Sequence, residues 1–187
     1  MRELVKFGNM LGAAGVTAVL LIAFAFQFRY GELPCPLCLL QRVAFVLCGF
    51  GFLLNLRHGS QPLHYGLILL SALFGIAVSG RQTLLHIAPG SGAYGEAMFG
   101  LHLYVWALIF FFATVVGVAL LLVLSGANRP QRDLHDWRRS EQFGFLARLL
   151  SWTLILATLG NALATLALCG PIECPDNPTS YWLKAHL

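Results

Sequence analysis

Five apolar runs fill most of this chain, at about Met10–Phe28, Leu39–Leu56, Tyr65–Ile87, Leu101–Leu124 and Leu149–Leu168. Each is close to the roughly 17 to 25 residues that a helix needs to cross the hydrocarbon of a bilayer. Gly31, Pro34, Gly59, Pro62, the Pro89-Gly90-Ser91-Gly92 cluster and Pro130 punctuate the connections between them. The pattern predicts an all-α integral membrane protein organised as a single membrane domain, 1–187. Five spans with short connections leave no length for a separate soluble domain. The one long polar stretch, Asn128–Gly144, mixes arginines with Leu134, Trp137 and Phe143. It suits either an amphipathic segment on the headgroup surface or a plain solvated loop. The tail, residues 169–187, carries Pro171, Pro175 and Pro178 and is expected to be irregular, with Tyr181 and Trp182 as interfacial anchors.

Composition supports the membrane assignment. The chain is 58% hydrophobic and 11% charged, whereas a soluble domain is about 25% charged, and its mean hydropathy is +0.73. The net charge of +4 does not point to nucleic acid, because the basic residues fall between the spans. Arg2, Lys6, Arg57 and the group Arg129, Arg132, Arg138, Arg139 and Arg148 sit at alternate connections. The positive-inside rule then puts the N-terminus in the cytoplasm and, with five spans, the C-terminus outside. A cleaved signal peptide is a competing reading of the first run, which has Ala23-Phe24-Ala25 near its end. That run is long for a signal core, and cleavage would leave the later segments on the same faces.

This orientation matters because of two cysteine pairs. Cys35 and Cys38 open the second span, and Cys169 and Cys174 follow the fifth. Both face the same outer, oxidising side. In Pro34-Cys35-Pro36-Leu37-Cys38 the proline fits a first helical turn. The cysteines then share one face at the positive end of the helix dipole, which favours thiolate. That suits cycling between dithiol and disulfide, although a static disulfide or two packing cysteines are the plainer alternative. Zinc lacks two further ligands, and a c-type haem lacks its histidine, since Leu39 follows Cys38. Arg42 lies one turn deeper on the face of Cys38. A charge inside a span is a functional candidate by default, here for a thiolate or a quinone carbonyl; snorkelling to the headgroups is the alternative. Cys48, about 15 Å further along the helix at 1.5 Å per residue, is expected to pack. Arg81, Gln82 and His86 end the third span and His102 opens the fourth, at the depth of Arg42.

Three motifs together resemble the DsbB family of bacterial thiol:quinone oxidoreductases. They are Pro34-Cys35-X-X-Cys38-X3-Arg42, Arg81-Gln82-X3-His86 and Gly100-Leu101-X4-Trp106. The resemblance covers about Met10–Leu124. It implies a four-helix transmembrane bundle in the inner membrane, here with an additional fifth helix. It also implies a quinone, ubiquinone or menaquinone, and a periplasmic DsbA-like dithiol partner that the protein re-oxidises. By resemblance, Cys35 and Cys38 are the quinone-facing pair, Cys38 contacts the ring, Arg42 activates it, and His86 lies nearby; Arg81 joins these as a cofactor-binding candidate. The family's second cysteine pair lies between the third and fourth spans, where this chain has none. Cys169 and Cys174 are the candidates to replace it, in a relay from partner to tail pair to Cys35–Cys38 to quinone. Three alternatives stay open: a quinone-linked reductase of the vitamin K epoxide type, a haem b carrier using His86 and His102, and a disulfide-stapled scaffold.

Overall fold

The computed structural model describes residues 2–87, 92, 94–95, 97–126, 141–171, 174, 178 and 180–185. The described part is an all-α membrane protein. Its long helices are α1 (Arg2–Arg29), α2 (Pro36–His58), α3 (Pro62–Leu85), α4 (Leu103–Gly126) and α5 (Glu141–Cys169). All five are long and apolar enough to span a bilayer, where a helix satisfies every backbone group internally. Helices α1 to α4 form a bundle, and α5 packs outside it against α1 and α2. A one-turn helix, α6 (Trp182–Ala185), lies in the tail that was expected to be irregular.

Local chemistry sets the ends. Both α2 and α3 begin with proline, Pro36 and Pro62, in the first turn, where no N–H is required. The third helix stops at Leu85 rather than Ile87, because the His86 N–H turns back to the Thr83 carbonyl at 3.2 Å. The fourth starts at Leu103 rather than Leu101. Strand β2 (Leu101–His102) pairs there with β1 (Ala97–Met98) in an antiparallel hairpin. Its two-residue turn, Phe99-Gly100, has φ of 54° and 80°, the left-handed pair that matches strand twist. The Trp106 indole donates to the Met98 carbonyl at 2.8 Å and ties the hairpin to α4. Helix α5 starts at Glu141, well before Leu149. Most of the polar stretch Asn128–Gly144 lies outside the described residues.

Lipid has no hydrophobic preference for one helix over another, so packing rests on shape and on buried polar bonds. Phe45 of α2 and Phe111 of α4 stack with centroids 4.0 Å apart, and Gly75 of α3 leaves the space that the Phe111 ring fills. Gly49 of α2 likewise admits Leu154 of α5 and Val16 of α1. At the end of the bundle away from the cysteines, Asn9 donates to the Tyr65 hydroxyl (2.9 Å), and Asn55 donates to the Asn9 carbonyl (2.9 Å). His64 Nδ1 lies 3.0 Å from the Asn55 carbonyl. This network links α1, α2 and α3. Cys48 is fully buried beside the Ile68 carbonyl and packs as expected.

A methyl group at Gly75 would collide with a fully buried ring that is itself stacked on Phe45. Gly75→Ala is therefore expected to cost about 1–3 kcal/mol by overpacking. Gly66→Ala, where nothing lies within 4 Å, should not destabilise. Thermal unfolding of both variants in detergent checks this; equal melting temperatures would contradict the packing.

Candidate functional site

The site begins with Cys35 as the N-cap of α2. Its sulfur accepts the Cys38 N–H at 3.2 Å, taking up one of the donors that a helix start leaves free. The turn thus holds both thiols on one side of the helix, and both are free. Gln82 of α3, 1% exposed, reaches across to them. Its amide nitrogen lies 3.4 Å from the Cys35 sulfur and 3.5 Å from the Cys38 sulfur. Its carbonyl accepts from Gln41 at 2.8 Å, which fixes the amide's direction. Contact with the Cys38 thiol and burial push the Cys35 thiol above its ordinary value, against the smaller pull of the helix N–H groups. The helix N–H groups act on Cys35 in the expected direction, but the thiol beside it and the loss of water outweigh them.

Cys38 and Arg42 line one cavity of about 110 Å³ between α1, α2 and α4. Its apolar walls include Phe26, Phe45, Trp106 and Phe110, and Glu32 and Tyr94 come from the connecting segments. Tyr94 donates to the Leu33 carbonyl at 2.6 Å and so ties its connecting segment to the loop before Cys35. Burial raises its phenol pKa, which keeps it a proton-bearing donor. Arg42 does not snorkel. Its guanidinium donates to Gln27 (2.7 Å), Asn161 (3.1 Å) and the Ala23 carbonyl (3.2 Å), and lies 5.5 Å from the Phe24 ring centroid.

The other expected residues are placed differently. Arg81 is exposed and does not line the cavity. It neighbours Gln82 in a helix, so it faces about 100° away by helical geometry. His86 is the C-cap of α3, with Nδ1 3.0 Å from the Gly92 carbonyl and its ring beside Tyr104. It stands outside the cavity lining. His102 lies in β2 with Nδ1 3.0 Å from the Gly95 carbonyl. Neither histidine is within a helix, so the pair lacks the facing-helix arrangement that axial haem ligation was expected to use. Cys169 and Cys174 form a disulfide with a Cα separation of 4.7 Å. The Gly170 N–H bonds the Leu166 carbonyl at 2.8 Å, and Trp182 covers Gly170. Tyr181 accepts a hydrogen bond from Gln27 at 3.1 Å, so tail and first pair share one end of the bundle. Tyr181 is thus bonded within the protein instead of serving only as an interfacial anchor. Gln27, Gln41, Tyr94 and Asn161 were not among the expected site residues. For the three amides the signal was present: each is a polar side chain within an apolar run, which calls for a partner.

Residues 6–94 match the family model described as disulfide bond formation protein DsbB. Curated relatives named disulfide bond formation protein B are also similar to part of the chain. That of Chromohalobacter salexigens is 33% identical over 90 residues, covering 46% of this chain and 52% of the relative. That of Nitrosomonas eutropha is 45% identical over 67 residues, 34% of this chain and 41% of the relative. That of Chromobacterium violaceum is 37% identical over 86 residues, 44% and 52%. The chain spans about half the length of the curated relatives it matches. No solved structure matches it. The matched half contains Cys35, Cys38, Arg42 and Gln82; α4, α5 and the tail pair lie beyond it.

Alkylation reads the inequality of the two thiols, because only the thiolate reacts. Cys35 is 6% exposed with a raised pKa, while Cys38 borders the cavity. Brief iodoacetamide treatment of reduced protein near neutral pH should label Cys38 before Cys35, and mass spectrometry of the peptide shows the order. Cys35 labelling should rise only at higher pH.

Proposed function

We propose, from the match of residues 6–94 to the family model described as disulfide bond formation protein DsbB, that this protein is a quinone-dependent thiol oxidase. It would re-oxidise a DsbA-like dithiol protein in the periplasm of a bacterium and sit in the inner membrane, N-terminus cytoplasmic and C-terminus periplasmic. The observation that carries the reading is the shared cavity of Cys38 and Arg42. Aromatic walls suit a planar ring, and a guanidinium beside a redox-capable sulfur suits its carbonyl oxygen. These residues therefore fit a ubiquinone or menaquinone head group. A bound quinone supplies an acceptor for two electrons and two protons.

The protein's own part is thiol–disulfide exchange. A partner thiolate attacks one sulfur of the Cys169–Cys174 disulfide and the other sulfur leaves as thiolate. The partner's second thiol closes its own disulfide, releasing the tail pair as a dithiol. That dithiol reduces a Cys35–Cys38 disulfide by the same two exchanges and is re-oxidised. Two electrons and two protons then leave Cys35 and Cys38 as their disulfide re-forms. Summed over the cycle, the partner loses two hydrogens and the quinone gains them. Gln82 holds both sulfurs of the dithiol, and Arg42 keeps positive charge beside the sulfur that faces the cavity.

Access selects the first sulfur. Cys169 is 4% exposed, whereas Cys174 is half-buried beyond the helix end. The incoming thiolate therefore meets Cys174, and Cys169 is the leaving group. Cys169→Ser should accumulate a mixed disulfide between Cys174 and the partner, visible on a non-reducing gel, and Cys174→Ser should not. Cys38→Ser should abolish quinone reduction by a reduced dithiol protein. Turnover by that variant would overturn the reading.

A further inference from the structure

Arg42 is held partly by a segment beyond the family match. Its guanidinium donates to the Asn161 carbonyl of α5 at 3.1 Å. The second α5-side tie is indirect: Gln27, which accepts from Arg42 at 2.7 Å, donates through its amide nitrogen to Tyr181 at 3.1 Å. Gln27 is 2% exposed, so its oxygen and nitrogen are committed to these two partners. The Asn161 amide nitrogen is buried without a partner. An unpaired buried donor is costly. The Asn161 side chain is nonetheless turned so that its oxygen meets the arginine. Gly160, next in sequence, lets α5 approach Phe24, the ring beneath the guanidinium; a Cβ there would lie 3.2 Å from it.

We propose that Asn161 and, through Gln27, Tyr181 are positioning residues that fix the Arg42 guanidinium at the cavity wall, so that the fifth helix and its tail set the affinity for the quinone. The proposal rests on the quinone reading above. Without Asn161 the guanidinium keeps only its α1 acceptors and is free to swing toward them. Loss of the Tyr181 hydroxyl frees the Gln27 amide to rotate, with a smaller effect.

The test uses the full-length protein in detergent, titrated with decyl-ubiquinone and with a short-chain menaquinone, following tryptophan fluorescence. Trp106 in the cavity wall makes binding visible. Asn161→Leu is expected to weaken binding about tenfold, the scale of one hydrogen bond to a charged group, and to raise the quinone KM with kcat little changed. Asn161→Gln, which keeps a neutral amide acceptor, should bind more tightly than Asn161→Leu. Tyr181→Phe should weaken binding by about threefold, as for a weaker neutral bond. If Asn161→Leu does not fold, Asn161→Ala reads the same contact without added bulk. Wild-type affinity in a folded Asn161→Leu or Asn161→Ala overturns the positioning role alone. Failure of the wild type to bind either quinone overturns both this role and the quinone reading.

Discussion

A guanidinium inside a membrane span is the constraint around which this molecule is arranged. An arginine within a span is costly, up to about 2.5–3.5 kcal/mol at the centre on insertion scales, and pairing its donors lowers that cost. Arg42 finds acceptors on α1 and α5, with an aromatic face from α1 beneath it. Three helices are thereby fixed at one depth, and that depth is where Cys38 borders the cavity. The same reasoning applies to Gln82. A buried amide among apolar side chains has to be satisfied, and here the thiols and Gln41 satisfy it.

The two ends of the bundle have different tasks. At the end away from the cysteines, the Asn9–Asn55–His64–Tyr65 network locks α1, α2 and α3 together with side chains that all have partners. At the other end the polar groups also bond to one another, but Arg42, Gln27 and Gln41 line a cavity as well. A rigid far end keeps the helices from splaying, so the groups around the cavity are held before any ligand arrives, which is how binding energy is conserved.

The cysteine pairs also divide by environment. Cys35 and Cys38 occupy a helix start, with N–H groups and Gln82 around the sulfurs. Cys169 and Cys174 close a helix end and a short loop, one sulfur buried and the other half-buried. The first environment lies against the cavity, and the second lies beyond a helix end. The Tyr181–Gln27 bond joins the tail to the cavity wall, so the two environments belong to one unit.

Hydrophobic patterning alone determined the five helices, since the bilayer offers a spanning backbone few other choices. The prolines that open α2 and α3 set their starts for an equally local reason. Cys38 and Arg42 were legible as a pair because their spacing of four places them on one helix face. What the sequence by itself left undecided is everything that depends on which helix turns toward which. Arg81 and Gln82 are adjacent, yet one faces outward and the other touches both sulfurs, and only the rotation of α3 in the bundle distinguishes them. The acceptors Gln27 and Asn161 lie 15 and 119 residues from Arg42. No spacing rule links such positions. Their meeting is decided by how α1 and α5 pack on α2, where glycines at the contacts and the demand of a buried charge leave little freedom.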